Sequence, residues 1–280
     1  MTTCYFVSDL HGDKVKYELL AKEIACNKPP FVFLGGDLLP HIKVSEKKKD
    51  PSVTPFFEEF LFPLFVSLQK QLGCNYPEIY LIAGNDDYKA DLPGFEEGVK
   101  KDLWKFLNSS KVKFGPYHIY GYSYVPPTPF SIKDWEKYDT SAEIDPESTS
   151  PEIGFKSVTD DNTSLNTIAE DIESLTNGDS LERAIFIMHS PPFNSSLDKI
   201  PGGKSIGSKA IANFINSKQP YITMHGHAHE TVDLTGTWHV QFKRTHSFSG
   251  VNSGDELAIV IFQIDNPAVC ERKLIKLNQK

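Results

Sequence analysis

Hydrophobic positions along the chain gather into five short, nearly continuous runs, at residues 4–7, 31–34, 79–83, 184–188 and 221–224. Apolar runs this short suit strands buried on both faces, and helical periodicity fills the stretches between them, so the pattern predicts an α/β fold. Between the first two runs, Val15, Leu19, Leu20 and Ile24 recur at the spacing of one helix face. A second stripe, Phe57, Phe60, Leu61, Leu64, Phe65, Leu68 and Leu72, contains Pro63. Proline has no amide hydrogen and crowds the preceding turn, so Pro63 must kink that helix or start a new segment. Beyond His229 the pattern turns to alternation, at 231–234, 238–242, 257–264 and 272–277, which predicts strands and a second, more antiparallel sheet.

Residues 122–182 break this rhythm. The stretch Tyr124-Val125-Pro126-Pro127-Thr128-Pro129-Phe130 cannot be helical and predicts an extended arm. From Asp134 to Glu182 there are 14 acidic residues against 2 lysines, a larger excess than the net charge of −8 carried by the whole chain. One helix is expected there, at 164–176. The segment reads either as a solvated insertion or as a cap over a site, and Trp135, Tyr138 and Phe155 among the charges favour the cap. With no repeats and no linker, the expectation is a single domain over 1–280, carrying an acidic, cap-like insertion at about 122–182.

The net charge of −8 offers no basic face, which argues against large nucleic-acid partners and anionic membranes. No apolar window reaches the ~18 residues of a membrane span, and the first residues lack the pattern of an export signal. Cys4, Cys26, Cys74 and Cys270 form no CxxC pair, so reduced thiols in a cytoplasmic protein are expected.

Chemistry enters at the ends of the runs. Asp9 and His11 follow the first, Asp37 the second, Asn85, Asp86 and Asp87 the third, His189 the fourth, and His225, His227 and His229 close the fifth. Strand C-termini of an open α/β sheet converge on one crevice, so a single site could collect them all. Two dications ~3.5–4 Å apart repel, and a carboxylate shared between them cancels charge; Asp37 is the candidate bridge. A ligand set richer in imidazole than in carboxylate suits Mn, Fe, Zn, Co or Ni better than Mg or Ca. His118 and His239, by contrast, read as core histidines.

The segments Asp9-Leu10-His11, Gly36-Asp37, Gly84-Asn85, His189 and Gly226-His227-Ala228-His229 together resemble the ordered motifs of calcineurin-like metallophosphoesterases. That resemblance implies a four-layer sandwich, two mixed β-sheets flanked by helices, and two divalent metal ions. It assigns Asp9, His11, Asp37 and His229 to one ion, and Asp37, Asn85, His189 and His227 to the other. Residues 124–139 further resemble a branch of phosphoesterases related to bacterial cyclic-nucleotide phosphodiesterases. Water bridging such a pair of ions ionises near neutral pH, so the implied reaction is in-line attack of hydroxide on phosphorus.

One position departs from the family. Where many members carry a histidine after the motif asparagine, this chain has Asp86. An ionised Asp86 cannot give a proton to the leaving group and repels a dianion, so a small phosphodiester is the expected substrate. The proton donor is then Asp86 itself, if burial raises its pKa, or His41 or His225. Competing readings are a phosphomonoesterase or protein phosphatase, and a non-catalytic interaction module on the same fold. Gly202-Gly203-Lys204-Ser205 is not a nucleotide P-loop, because Asp198 stands where the first glycine is required. Ser205 or Ser208 should instead cap the helix holding Ala210, Ile211, Phe214 and Ile215, whose start or Lys204 could meet a substrate phosphate.

Overall fold

The computed structural model describes residues 2–159 and 166–276. In chain order the elements are β1 (Thr3–Val7), α1 (Lys14–Asn27), β2 (Phe31–Gly35), α2 (Val44–Lys47), α3 (Phe62–Leu72), β3 (Glu78–Ile82), α4 (Leu92–Lys100), β4 (Lys105–Phe106), β5 (Ser110–Phe114) and β6 (Tyr117–Tyr122). After the insertion come α5 (Ile168–Thr176), β7 (Ala184–Met188), α6 (Lys209–Lys218), β8 (Ile222–His225), α7 (Thr231–Thr235), β9 (His239–Phe242), β10 (Thr245–Ser249), β11 (Leu257–Gln263) and β12 (Asn266–Ile275). All five apolar runs are strands.

Two six-stranded mixed sheets result, in the orders β12-β11-β1-β2-β3-β4 and β5-β6-β7-β8-β10-β9. Strand alternation explains the layering. In the first sheet Cys4, Phe6, Phe33, Tyr80 and Ile82 point inward to meet Ile119, Ile185, Ile187, Met224 and Phe248 of the second. Their neighbours Tyr5, Val7, Val32, Leu34 and Leu81 point the other way, onto α1, α3 and α4. On the far side Tyr120, Phe186 and Met188 pack under α5 and α6. Each inward phenylalanine contributes about 1.5–3 kcal/mol by leaving water, so the layer between the sheets is a main source of stability.

The helices follow their sequence signals with two shifts. Asp13 caps α1 by accepting from the amides of Val15 and Lys16, but the buried face is Tyr17, Leu20, Ala21 and Ile24, and Val15 is exposed. Pro63 does start a segment: a π-helical turn at Phe57–Leu61 runs into α3, with the proline in its first turn, where no amide is needed. Helix α5 begins at Ile168 behind a Thr167–Glu170 capping box, and the first residues of the helix expected at 164–176 lie outside the described residues.

The expectation of a separate C-terminal sheet fails. Strands β11 and β12 add antiparallel to β1 in the first sheet, while β9 and β10 extend the second. The pattern gave strands but not partners. Residues 231–234, expected as a strand, form α7, which Gly236 ends in the left-handed conformation; Leu277 is outside the described residues.

Candidate metal centre

The ligand-bearing loops leave β1, β2 and β3 of one sheet and β7 and β8 of the other, all at the same end of the sandwich. Asp9, His11, Asp37 and His229 place one ligand atom each within 4.8 Å of one another. His11 Nε2 lies 3.1 Å from His229 Nε2, which lies 3.0 Å from Asp9 Oδ1. On the other side of Asp37, His189 Nε2 is 3.2 Å from Asp37 Oδ2 and 3.1 Å from Asn85 Oδ1. The His227 ring lies 5.4 Å from that of His189, centre to centre. All seven residues singled out in the sequence thus meet in one place, with Asp37 between the two groups.

The donors fit divalent cations. Among the described residues Asp9 Oδ2 is buried without a hydrogen-bond partner, an arrangement that costs free energy unless a cation completes it. His189 Nδ1 donates to the Gly35 carbonyl at 2.8 Å, which fixes the tautomer and turns Nε2 toward Asp37 and Asn85. Asp9, His11, Asp37 and His227 all have positive φ, between 45° and 73°, a region that costs most side chains energy and is held here by the surrounding loops. The neighbouring glycines have a steric reason. A Cβ on Gly84 would sit 2.2 Å from Asp37 Oδ1, and one on Gly226 would sit 2.3 Å from Ser8 Oγ and 2.5 Å from Asp9 Oδ2.

Opposite charges set the electrostatics. Burial opposes ionisation of Asp9 and Asp37, but the histidines beside them hold both carboxyls below the usual range. Reciprocally, and again against burial, Asp37 lifts His189 to about 10 and Asp9 lifts His229 to about 9. Those protons occupy nitrogens that a metal would take, so metal binding releases them. Burial, reinforced by His189, pushes His227 down to about 3 and keeps it neutral.

The three candidate proton donors separate. His225 is fully buried, with Nδ1 at 2.9 Å from the Ser190 carbonyl and Nε2 at 2.8 Å from Thr223 Oγ1, and burial lowers it to about 4. It is a core group holding β8 to its neighbours, not a donor facing the cleft, and this corrects the sequence reading. Asp86 lines the cleft; burial and then Asp37 raise it to about 6, a value that nearby dications would pull back down. Its Oδ2 lies 3.7 Å from His11 Nδ1 and 3.9 Å from His41 Nδ1, and His41 stands exposed at the cleft rim.

Asp87, grouped with the ligands on sequence, has another part. Its carboxylate accepts from the amides of Leu38, Leu39 and Gly84 and so ties the loops after β2 and β3 together. Burial and the neighbouring Asp37 raise it to about 8. Nothing in the local pattern distinguishes a brace from a ligand here.

Above the candidate ligands opens a cavity of about 1090 Å³, walled on one side by parts of the insertion. The arm at 124–130 is extended as expected and is held by bridges between Val125 and Glu136 and between Ile132 and Phe155. Lys133 anchors it from inside. The fully buried ammonium donates to Glu136 Oε2 at 2.7 Å and to the carbonyls of Thr128 and Thr149, while Glu136 also accepts from Thr128. Ser208 caps α6, as one of the two candidate serines. The start of that helix borders the cavity, but the Asp139 carboxylate takes the amides of Lys209 and Ala210 that a substrate phosphate would need. Lys204 is paired with Asp145 and Glu147 of the insertion. Among the described residues no helix is long and apolar enough to cross a membrane.

Known structures share this fold. Protein TT1561 of Thermus thermophilus overlays with a TM-score of 0.58 at 13% identity, covering 98% of this chain and 99% of that one. A second solved chain overlays at 0.62 with 12% identity and coverage of 98% and 99%. Such identities show a shared fold. A structure described as a novel archaeal phosphodiesterase is more distant, at TM-score 0.48 and 9% identity, with coverage of 98% and 99%. No curated protein sequence matches. The family profile described as calcineurin-like phosphoesterase matches residues 2–231, most of the chain, and the chain belongs to that family.

Proposed function

We propose that the chain hydrolyses a small phosphodiester at a centre of two divalent ions, one held by Asp9, His11, Asp37 and His229, the other by Asp37, Asn85, His189 and His227. The convergence of these side chains on Asp37, at the floor of an open cavity, carries the reading. When bound, such ions supply Lewis acidity at the phosphoryl oxygens and activate water at neutral pH. Mn is the proposed first choice, on the imidazole-rich donor set.

The chain's own groups then orient the ester. Asp86, beside the ligands and partly exposed, disfavours the dianionic charge of a monoester, which is the support for a diester. His41 is the proposed proton donor. Asp86 faces its Nδ1, leaving Nε2 for the oxygen of the departing alcohol. Four free cysteines support a reducing, cytoplasmic setting.

Two measurements on the purified chain test this. Metal analysis after Mn loading should give about two ions per chain, and bis(4-nitrophenyl) phosphate should be cleaved faster than 4-nitrophenyl phosphate. A chain that binds no metal sinks the dinuclear centre, and the reverse ester ranking sinks the diester preference.

A further inference from the structure

We infer that the diester's non-reacting substituent is apolar and several carbons long; this rests on the phosphodiesterase reading above and concerns what the rest of the molecule touches. The cavity of about 1090 Å³ is large for its chemistry. Pockets of ~300–1,000 Å³ accommodate whole drug-sized ligands, so a phosphoryl group at the floor leaves most of the space to something else.

The composition of the wall says what. Pro126, Pro127 and Phe130 of the arm, Ile144 of the loop that follows, and Ile200 and Ile206 opposite them all line the cavity. Phe130 is 56% exposed and Ile144 37%. Large apolar side chains left in contact with water inside a concavity mark a binding surface far better than the same residues scattered on a convex one.

Charge on this side points the same way. Three features on this side that could hold a second anion already have partners within the protein, while Lys43, on the loop after β2, also lines the cavity. Lys204 is paired with Asp145 and Glu147, the Lys209 ammonium lies 5.4 Å from the centre of the Phe193 ring, and Asp139 fills the start of α6. Beside the insertion a second phosphate or a carboxylate would meet its acids, the lysines left to it being Lys43 and the Lys209 that lies over the Phe193 ring, whereas a neutral alkyl group meets matching area. The wall therefore selects esters by apolar bulk while the floor selects the phosphorus.

Titration calorimetry of the full chain with ethyl, hexyl and decyl phosphate, the monoester products of such diesters, reads the wall without turnover. Each buried methylene contributes at most about 4-fold in affinity, so hexyl phosphate should bind at least ~10-fold more tightly than ethyl phosphate. The heat-capacity change should become more negative with chain length. Phe130→Ser and Ile144→Ser should each reduce the hexyl-to-ethyl ratio. In parallel the Mn-loaded chain is given ethyl and hexyl 4-nitrophenyl phosphate, with the hexyl ester expected to show the higher kcat/KM. Equal affinities and equal cleavage of the two esters would overturn the apolar substituent and leave the diester reading standing. Length-dependent binding with neither diester cleaved would overturn the diester reading, and with it this substrate, while keeping the wall as an apolar site.

Discussion

The floor of the cleft and its insertion wall are built on opposite plans. On the floor, short loops at strand ends are fixed by backbone bonds across the loops, as where Asp9 N donates to Gly36 O and His11 N to Asp37 O, and by Asp87 taking three amides. In the wall, residues 123–159 contain no named strand or helix and are held by isolated bridges, the buried Lys133–Glu136 pair and side-chain ties such as Asp139 to the start of α6, Asp134 to the Lys89 amide and Lys137 to Asp171. The floor inherits its precision from two sheets. The wall has to supply its own, which leaves it free to vary in shape and makes it the natural place for specificity.

The contrast yields ordered expectations. The largest effect belongs to the floor: Asp37→Ala removes the group proposed to be common to both ion sites, and should lose bound metal and more than the ~10²–10³-fold in turnover that a single lost hydrogen-bond donor costs. Metal analysis and kcat on the same sample check it. Retention of both ions would show that Asp37 is not shared. Next comes the wall. Lys133→Met leaves Glu136 buried without its cation, a change that typically costs about 3–5 kcal/mol, and Glu136→Gln in the same chain should restore much of it. Denaturant unfolding measures the cost, and metal content should stay unchanged; loss of metal in that variant would mean that floor and wall are not separable. Smallest is the rim, where the two meet. His41→Gln should slow cleavage of an alkyl leaving group by about 10²-fold or more, the usual weight of a general acid, while an ester that releases 4-nitrophenolate, which needs no proton, is hardly affected. An equal loss on both esters would assign His41 to binding instead.

What the sequence disclosed divides along the same line. Every proposed ligand follows an apolar run, because the run is a strand and the side chain sits in its first turn, so order along the chain was enough to bring together Asp9, Asp37, Asn85 and His189. His225 was misread for the same reason: it ends β8 one residue before Gly226, and only the packing that buries it against Ser190 and Thr223 separates it from His227. Asp87 has the composition of a ligand and the position of a brace. The wall left almost no periodic signal. Lys133 and Glu136 are three apart, a spacing common on exposed helices, and their burial follows from Thr128 and Thr149 closing over them. Likewise the alternation beyond His229 marked β9, β11 and β12, whereas the choice of sheet depends on contacts with β1 and β8, more than two hundred residues upstream in the case of β11. The one local clue overlooked was Gly236, a helix stop that would have marked α7.

Four of the proposed ligands, Asp9, His11, Asp37 and Asn85, belong to one sheet, and His189, His227 and His229 to the other, with Asp9 and His229 in contact across 220 residues of sequence. A metal centre held by these residues would therefore be a vernier for the alignment of the two layers. A slip of one sheet against the other by a fraction of an ångström, too small to unfold anything, already spoils a coordination shell that tolerates errors of about 0.2 Å. Core substitutions between the sheets, such as at Phe33 or Phe248, should thus reach catalysis through metal affinity well before they reach it through loss of the fold.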